Sequence, residues 1–136
     1  MIALDSTVES IIVDGCNLES FTVLNLTRFV NLKVFEVNDD SFAYVKEVHI
    51  SGLSKLDRVV IGVNCFTKYK NSWGKDSTRH FYLKDCPQLR ELRLGRYSFS
   101  DYASLELKNL PSLNSLLFDR LAFNDCSRAV FESECM

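Results

Sequence analysis

The stretch LRELRLGRYSF, Leu89 to Phe99, places apolar residues at Leu89, Leu92 and Leu94 and closes on Phe99. A helix wants apolar residues three and four apart and a plain strand wants them two apart, so three followed by two sustains neither period. The spacing fits a bend that runs into a short strand. It also recurs: LKVFEVNDDSF (Leu32 to Phe42), LDRVVIGVNCF (Leu56 to Phe66) and LNSLLFDRLAF (Leu113 to Phe123) are apolar at the same first, fourth, sixth and eleventh positions, as is VESIIVDGCNL (Val8 to Leu18). The first positions, Val8, Leu32, Leu56, Leu89 and Leu113, are separated by 24, 24, 33 and 24 residues. A fixed period of this size is the mark of a repeat architecture. Four units are regular, and one carries nine extra residues, 33 against 24.

A second copy of the spacing lies upstream within each unit, at Phe21, Leu24 and Leu26, at Val45, Val48 and Ile50, and at Tyr102, Leu105 and Leu107. Between the two copies sits a further apolar anchor: Phe29, Leu53, Cys86 or Leu110. The structure this predicts is a mainly β solenoid with little helix. In it, about five 24-residue turns each give one strand to each of two parallel sheets that enclose one core. The turns fall near residues 2–25, 26–49, 50–82, 83–106 and 107–130 of a single domain spanning 1–136, with an insertion near 70–78. Ala129 and Phe131 take the first-strand positions of a sixth turn, and Ile2 those of the first. The closing residues Leu18, Phe42, Phe66, Phe99 and Phe123 are predicted to stack as a spine at the ~4.8 Å spacing of paired strands. Gly62 and Gly95, at equivalent positions after the second strand, read as turns with unusual dihedrals.

Composition narrows the function. The 136 residues are 46% hydrophobic, enough for one core, and the formal net charge is -2 with 16 basic and 18 acidic residues well mixed. That gives no basic field for nucleic acid, and no apolar run approaches the ~20 residues of a membrane span. MIALDSTVES lacks the positive start and long apolar stretch of a signal peptide. Cys16, Cys65, Cys86, Cys126 and Cys135 are odd in number and show neither C-x-x-C nor zinc-finger spacing, so reduced thiols are expected. These features favour a cytoplasmic setting, or the cell surface or secretion for a piece of a longer chain.

The L-x-x-L-x-L spacing in LRELRL, LDRVVI and LNSLLF resembles the strand motif of leucine-rich repeat proteins. In that family the motif continues to Asn or Cys at the ninth position. Here Cys16, Asp40, Asn64, Tyr97 and Leu121 stand there, so three units keep a residue able to hydrogen-bond the turn and two depart from the pattern. The 24-residue turn with two strand-like segments, together with the phrases GRYSFSDY (Gly95 to Tyr102) and NDCSRAVFES (Asn124 to Ser133), resembles the irregular, BspA-like branch of bacteria and gut protists. The resemblance implies a leucine-rich repeat solenoid and leaves the ligand open, because repeat families share scaffolds across unrelated partners.

Catalytic and cofactor motifs are missing, so neither an enzyme nor a cofactor is expected. WGKDST, Trp73 to Thr78, is not a phosphate loop: Asp76 follows Lys75 where Ser or Thr is required. His49 and His80 read as outward-facing strand histidines on neighbouring turns rather than as metal ligands. The sequon Asn25-Leu26-Thr27 matters only in a secreted chain. On the outer face of the second strand one column reads Ser10, Val34, Arg58, Glu91, Ser115 and the next Ile12, Glu36, Val60, Arg93, Leu117. Apolar side chains beside arginine are the mixture that interfaces favour, which makes Arg58, Val60, Glu91, Arg93 and Leu117 candidate contacts for a partner protein. Arg58 and Glu91 are expected to be cross-strand neighbours. The insertion supplies the other candidates, Tyr69, Lys70, Trp73 and Lys75. From Thr67 to His80 its four cations, Lys68, Lys70, Lys75 and Arg79, face only Asp76, a balance of +3 that leaves -5 for the rest. The expected function is a non-enzymatic protein-binding module, the alternative a spacer segment in a larger array. Ends without a polar cap would promote self-association.

Overall fold

The computed structural model describes residues 6–68, 77–120, 122–123, 126 and 128–132. Its strands are β1 (Ser10–Val13), β2 (Val23–Asn25), β3 (Val34–Val37), β4 (Glu47–Ser51), β5 (Arg58–Ile61), β6 (His80–Lys84), β7 (Glu91–Leu94), β8 (Ser104–Lys108), β9 (Ser115–Phe118) and β10 (Arg128–Glu132). The odd-numbered strands pair in chain order into one five-stranded parallel sheet and the even-numbered strands into another. The chain is therefore a parallel β-solenoid of about five turns set about 24 residues apart, with essentially no helix among the described residues. Ala129 and Phe131 pair with Leu105 and Leu107 in β10, where a sixth turn begins. Ile2 lies outside the described residues.

Alternation builds the core. Successive strand side chains point to opposite faces, and the inward set of the central turns is wholly buried: Phe35, Val59 and Leu92 in one sheet, Val48, Phe81 and Leu105 in the other. The anchors between strands, Leu53, Cys86 and Leu110, are buried with them. Each large apolar side chain so placed contributes roughly 1.5–3 kcal/mol. Only the interior is needed twice per turn, which is why the motif repeats twice per turn.

The corners are set by phenylalanines in an unusual backbone state. Phe42, Phe66, Phe99 and Phe123 have φ of 61°, 57°, 57° and 53°, a left-handed conformation that costs a non-glycine residue about 1–3 kcal/mol. It turns each ring into the core and aims each N–H at the turn before, onto the carbonyls of Cys16, Ser41, Cys65 and Ser98 at 2.6, 2.9, 3.0 and 3.0 Å. The rings then pack in a row: Phe66 stacks on Phe99 at 4.5 Å between centroids and Phe99 on Phe123 at 4.8 Å, while Phe42 meets Phe66 at 5.1 Å tilted by 40°. Burial and stacking offset the backbone strain.

Leu18 does not join this spine. It is 65% exposed and lacks the positive φ that turns the four phenylalanines inward. Phe21, three residues on, packs against Phe42 instead at 5.6 Å. The reading of Gly62 and Gly95 as dihedral-driven turns is also corrected, because neither has a positive φ. Crowding is the reason they are glycine: a Cβ on Gly95 would overlap the Gly62 carbonyl and lie 2.8 Å from Val63 N, and one on Gly62 would lie 3.0 Å from Asp39 N. Adjacent turns touch backbone to backbone there, while the left-handed positions beside them belong to Asp40, Asn64 and Tyr97.

Register and strain together separate two residues that the repeat treats as equivalent. Phe99→Ala is expected to lose about 3–5 kcal/mol, as for other buried aromatics, and Leu18→Ala about 0.5 kcal/mol or less, as for an exposed site. Denaturant midpoints that fell equally for both would contradict the assignment.

Candidate functional site

The odd sheet gathers the first set of candidates. Its register aligns Arg58 with Glu91 and Val60 with Arg93, and Arg93 with Leu117, so all five sequence-derived face residues share one outer surface. At the rims of this face Ile12 and Leu117 are 62% and 46% exposed. Arg58 and Glu91 are cross-strand neighbours as expected, but the Arg58 guanidinium pairs with Glu36 on β3 at 3.0 Å. Glu91 instead lies 3.9 Å from Arg93 on its own strand. Arg93 thus sits between Val60 and Leu117, and Arg58 between Val34 and Glu91, each arginine with a partly exposed, weak ion-pair partner.

Tyr69, Lys70, Trp73 and Lys75 lie outside the described residues. What the structure does define is the root of the insertion. Entering it, Thr67 Oγ1 and Ser100 Oγ hydrogen-bond at 2.8 Å, and the Lys68 N–H donates to Asp101 Oδ2 at 3.0 Å. Leaving it, Thr78 occupies the column of Val45 and Tyr102 but is exposed. The next residue, Arg79, is buried. Its guanidinium faces Asp101 at 3.6 Å, the two side chains being 2% and 1% exposed, and donates to the Ala43 carbonyl at 3.1 Å. The Tyr102 ring lies 5.8 Å from it. This corrects the charge reading of the insertion: the Arg79 charge is cancelled within the core by Asp101, and Lys68 lies over the Tyr44 ring at 5.0 Å. A charge count along the insertion does not distinguish the buried Arg79 from the exposed Lys68. Asp101, in the equally regular following turn, was the signal that could have marked a partner.

The even sheet carries an aromatic row in which Tyr82, not singled out from the sequence, joins the strand histidines His49 and His80. Tyr82 stacks on His49 of the neighbouring strand at 5.0 Å, and His80, two residues before it on β6, lies 6.1 Å away. Glu47 Oε1 accepts a hydrogen bond from His49 Nε2 at 3.0 Å, and Ser104 Oγ meets His80 Nδ1 at 2.6 Å. Partial burial, helped by the Glu106 and Glu47 carboxylates, raises the Tyr82 hydroxyl above its ordinary pKa. Among the described residues no group of three or more His, Cys, Asp or Glu is placed to hold a metal ion. Cys16, Cys65, Cys86 and Cys126 are free thiols. Burial pushes Cys65 and Cys86 up to about 11, so both stay protonated near neutrality and are poor nucleophiles.

These features define a parallel β-solenoid repeat protein. No family model, curated protein or solved structure matches the chain. Among the described residues no helix is long and apolar enough to cross a membrane.

The buried Arg79 and Asp101 are mutually dependent. Asp101→Ala should cost roughly 3–5 kcal/mol by stranding the guanidinium, whereas Arg79→Met with Asp101→Leu should recover most of that loss. Urea titration of the three chains checks this, and a double variant no more stable than Asp101→Ala would contradict it.

Proposed function

We propose that the chain is a non-enzymatic protein-binding module of leucine-rich repeat type, resembling the BspA-like branch, that meets its partner with the outer face of the odd sheet. The observation that carries this reading is the alignment of Val60, Arg93 and Leu117 in one column with Arg58 and Glu91 beside it. Rigid strands hold those side chains at fixed spacing, so little ordering entropy is lost on contact. Apolar anchors with arginine between them are the composition of binding hot spots. The insertion, rooted on Arg79 and Asp101, supplies Tyr69, Lys70, Trp73 and Lys75 as the second contact. The buried, protonated thiols of Cys65 and Cys86 and the mixed charge accord with this role.

A second reading, a spacer that stacks on like units in a larger array, draws on a different observation. Inward-facing Leu116 of β9 and Phe131 of β10, at the far edges of the two sheets, are 47% and 57% exposed, and Ile12, Leu18 and Val23 are exposed at the other end. Strand edges with apolar surface pair readily with further strands.

One affinity-capture series separates the two. With Val60→Glu and Leu117→Glu together, proteins retained by the unmodified chain should be lost, while Tyr82→Ala on the opposite face retains them and deletion of Lys70–Thr78 weakens them. If neither face variant nor the deletion changes what is captured, and light scattering shows a mass that rises with concentration, the spacer reading replaces the binding one.

A further inference from the structure

Beside the odd sheet, where each chain turn enters its strand, runs a column of alternating charge. Its members are Glu9, Lys33, Asp57, Arg90 and Asn114. They are fixed in line by backbone hydrogen bonds, each N–H donating to the preceding member's carbonyl at 2.8, 2.8, 2.9 and 3.1 Å. Next to it a groove is lined by Lys33, Lys55, Asp57, Gln88, Arg90 and Ser112. A second depression continues it past Arg90 to Arg58 and Glu91 on the sheet face.

The charges of the groove do not balance. Three cations line it against one carboxylate, and that carboxylate is already engaged: Arg90 donates to both oxygens of Asp57, and this hydrogen bonding holds the Asp57 pKa below its ordinary value. Lys55 donates to Asn31 Oδ1 at 2.8 Å, a neutral partner that leaves its charge uncancelled. Lys33 meets Glu9 at 3.2 Å, but the two side chains are 54% and 62% exposed, and pairs so exposed are exchanged for other partners at little cost.

Shape selects among anions. The lining comes from four successive turns, so at ~4.8 Å per turn the groove runs about 15 Å across the strands. An extended peptide of four or five residues has that reach at ~3.3 Å per residue. A single small anion would span at most two neighbouring turns of the four.

We propose that this groove receives an acidic, carboxylate-bearing segment of the partner protein, with Lys33 and Lys55 as its principal contacts and the odd-sheet face beside it taking the segment's apolar neighbours. This rests on the protein-binding reading above and names the class of partner.

The test uses the full chain and a fluorescein-labelled octaglutamate peptide, with octaglutamine as the neutral counterpart. Anisotropy should show binding of octaglutamate alone, weakening as salt screens the charges, and amide shifts should concentrate at residues 33–34, 55–58 and 88–91. Lys33→Glu with Lys55→Glu should weaken binding at least about tenfold, a 1.4 kcal/mol change. Lys55→Gln, which keeps a donor toward Asn31, should weaken it less, and Lys84→Glu on the even sheet should leave it unchanged. The proposal is overturned if octaglutamine binds equally, if the Lys33 and Lys55 variants bind as well as the unmodified chain, or if millimolar inorganic phosphate displaces the peptide completely, which would mark a small-anion site. Loss of peptide binding with intact odd-face capture defeats the acidic groove alone; intact peptide binding with no odd-face capture defeats the sheet-face reading alone.

Discussion

Four phenylalanines held in the left-handed region of backbone space set the pitch of this molecule. A bulky residue does not adopt positive φ unless its surroundings insist, and here they do so twice over: by a hydrogen bond from each corner N–H to the turn before, and by a ring packed against the ring of a neighbouring turn. The hydrogen bond cannot form unless turns lie at strand-pairing distance, and the stack cannot form unless corners are in register. Both conditions are met at once only when every turn has the same path. That is why the two sheets, which share no hydrogen bonds with each other, stay aligned across one core.

The glycines serve the same constraint from the other side. Gly62 and Gly95 allow successive backbones to touch where a side chain would push the turns apart. The polar residues around them follow suit. Ser98 Oγ donates to the Gly62 carbonyl and accepts from Cys65 N, and Asn64 Nδ2 donates to Asp40 Oδ1 at 3.1 Å. The Asn109 side chain does the same to Asp85 at 2.8 Å at the opposite edge of the coil. Side-chain hydrogen bonds thus run along the coil axis at several corners, without the unbroken ladder of one residue type that a strictly regular repeat would show.

Most of the architecture was legible in the sequence because it follows from periodicity. Strand positions, the pairing of Val34 with Arg58 and of Arg58 with Glu91, the two sheets and the inward anchors all follow from aligning the units on Leu32, Leu56, Leu89 and Leu113. What periodicity could not convey is conformation at a single residue. It could not distinguish Leu18 from Phe42, since the difference is one dihedral angle, nor tell that Gly95 is small for want of space. Pairings that cross turns off the column direction were likewise hidden: Arg58 with Glu36, and Arg79 with Asp101 beneath the insertion. The column from Glu9 to Asn114 was in plain view as the second position of each unit. It carries no periodic apolar residue, and so lies outside the pattern that defines the strands. Binding surfaces lie where the repeat stops constraining residue type, so the repeat gives the least guidance there.

Residue-resolved amide hydrogen exchange tests most directly whether corner geometry governs the whole coil. Exchange free energies report which hydrogen bonds open together. The amides of Phe66 and Phe99 should be among the slowest and should open with those of β5, β6 and β7 as one unit, with β1 and β9 exchanging sooner at the edges. Corner amides exchanging as fast as that of Lys55, an exposed turn residue, while the strands remain protected, would show that the sheets stand without the phenylalanine stack and would contradict this account.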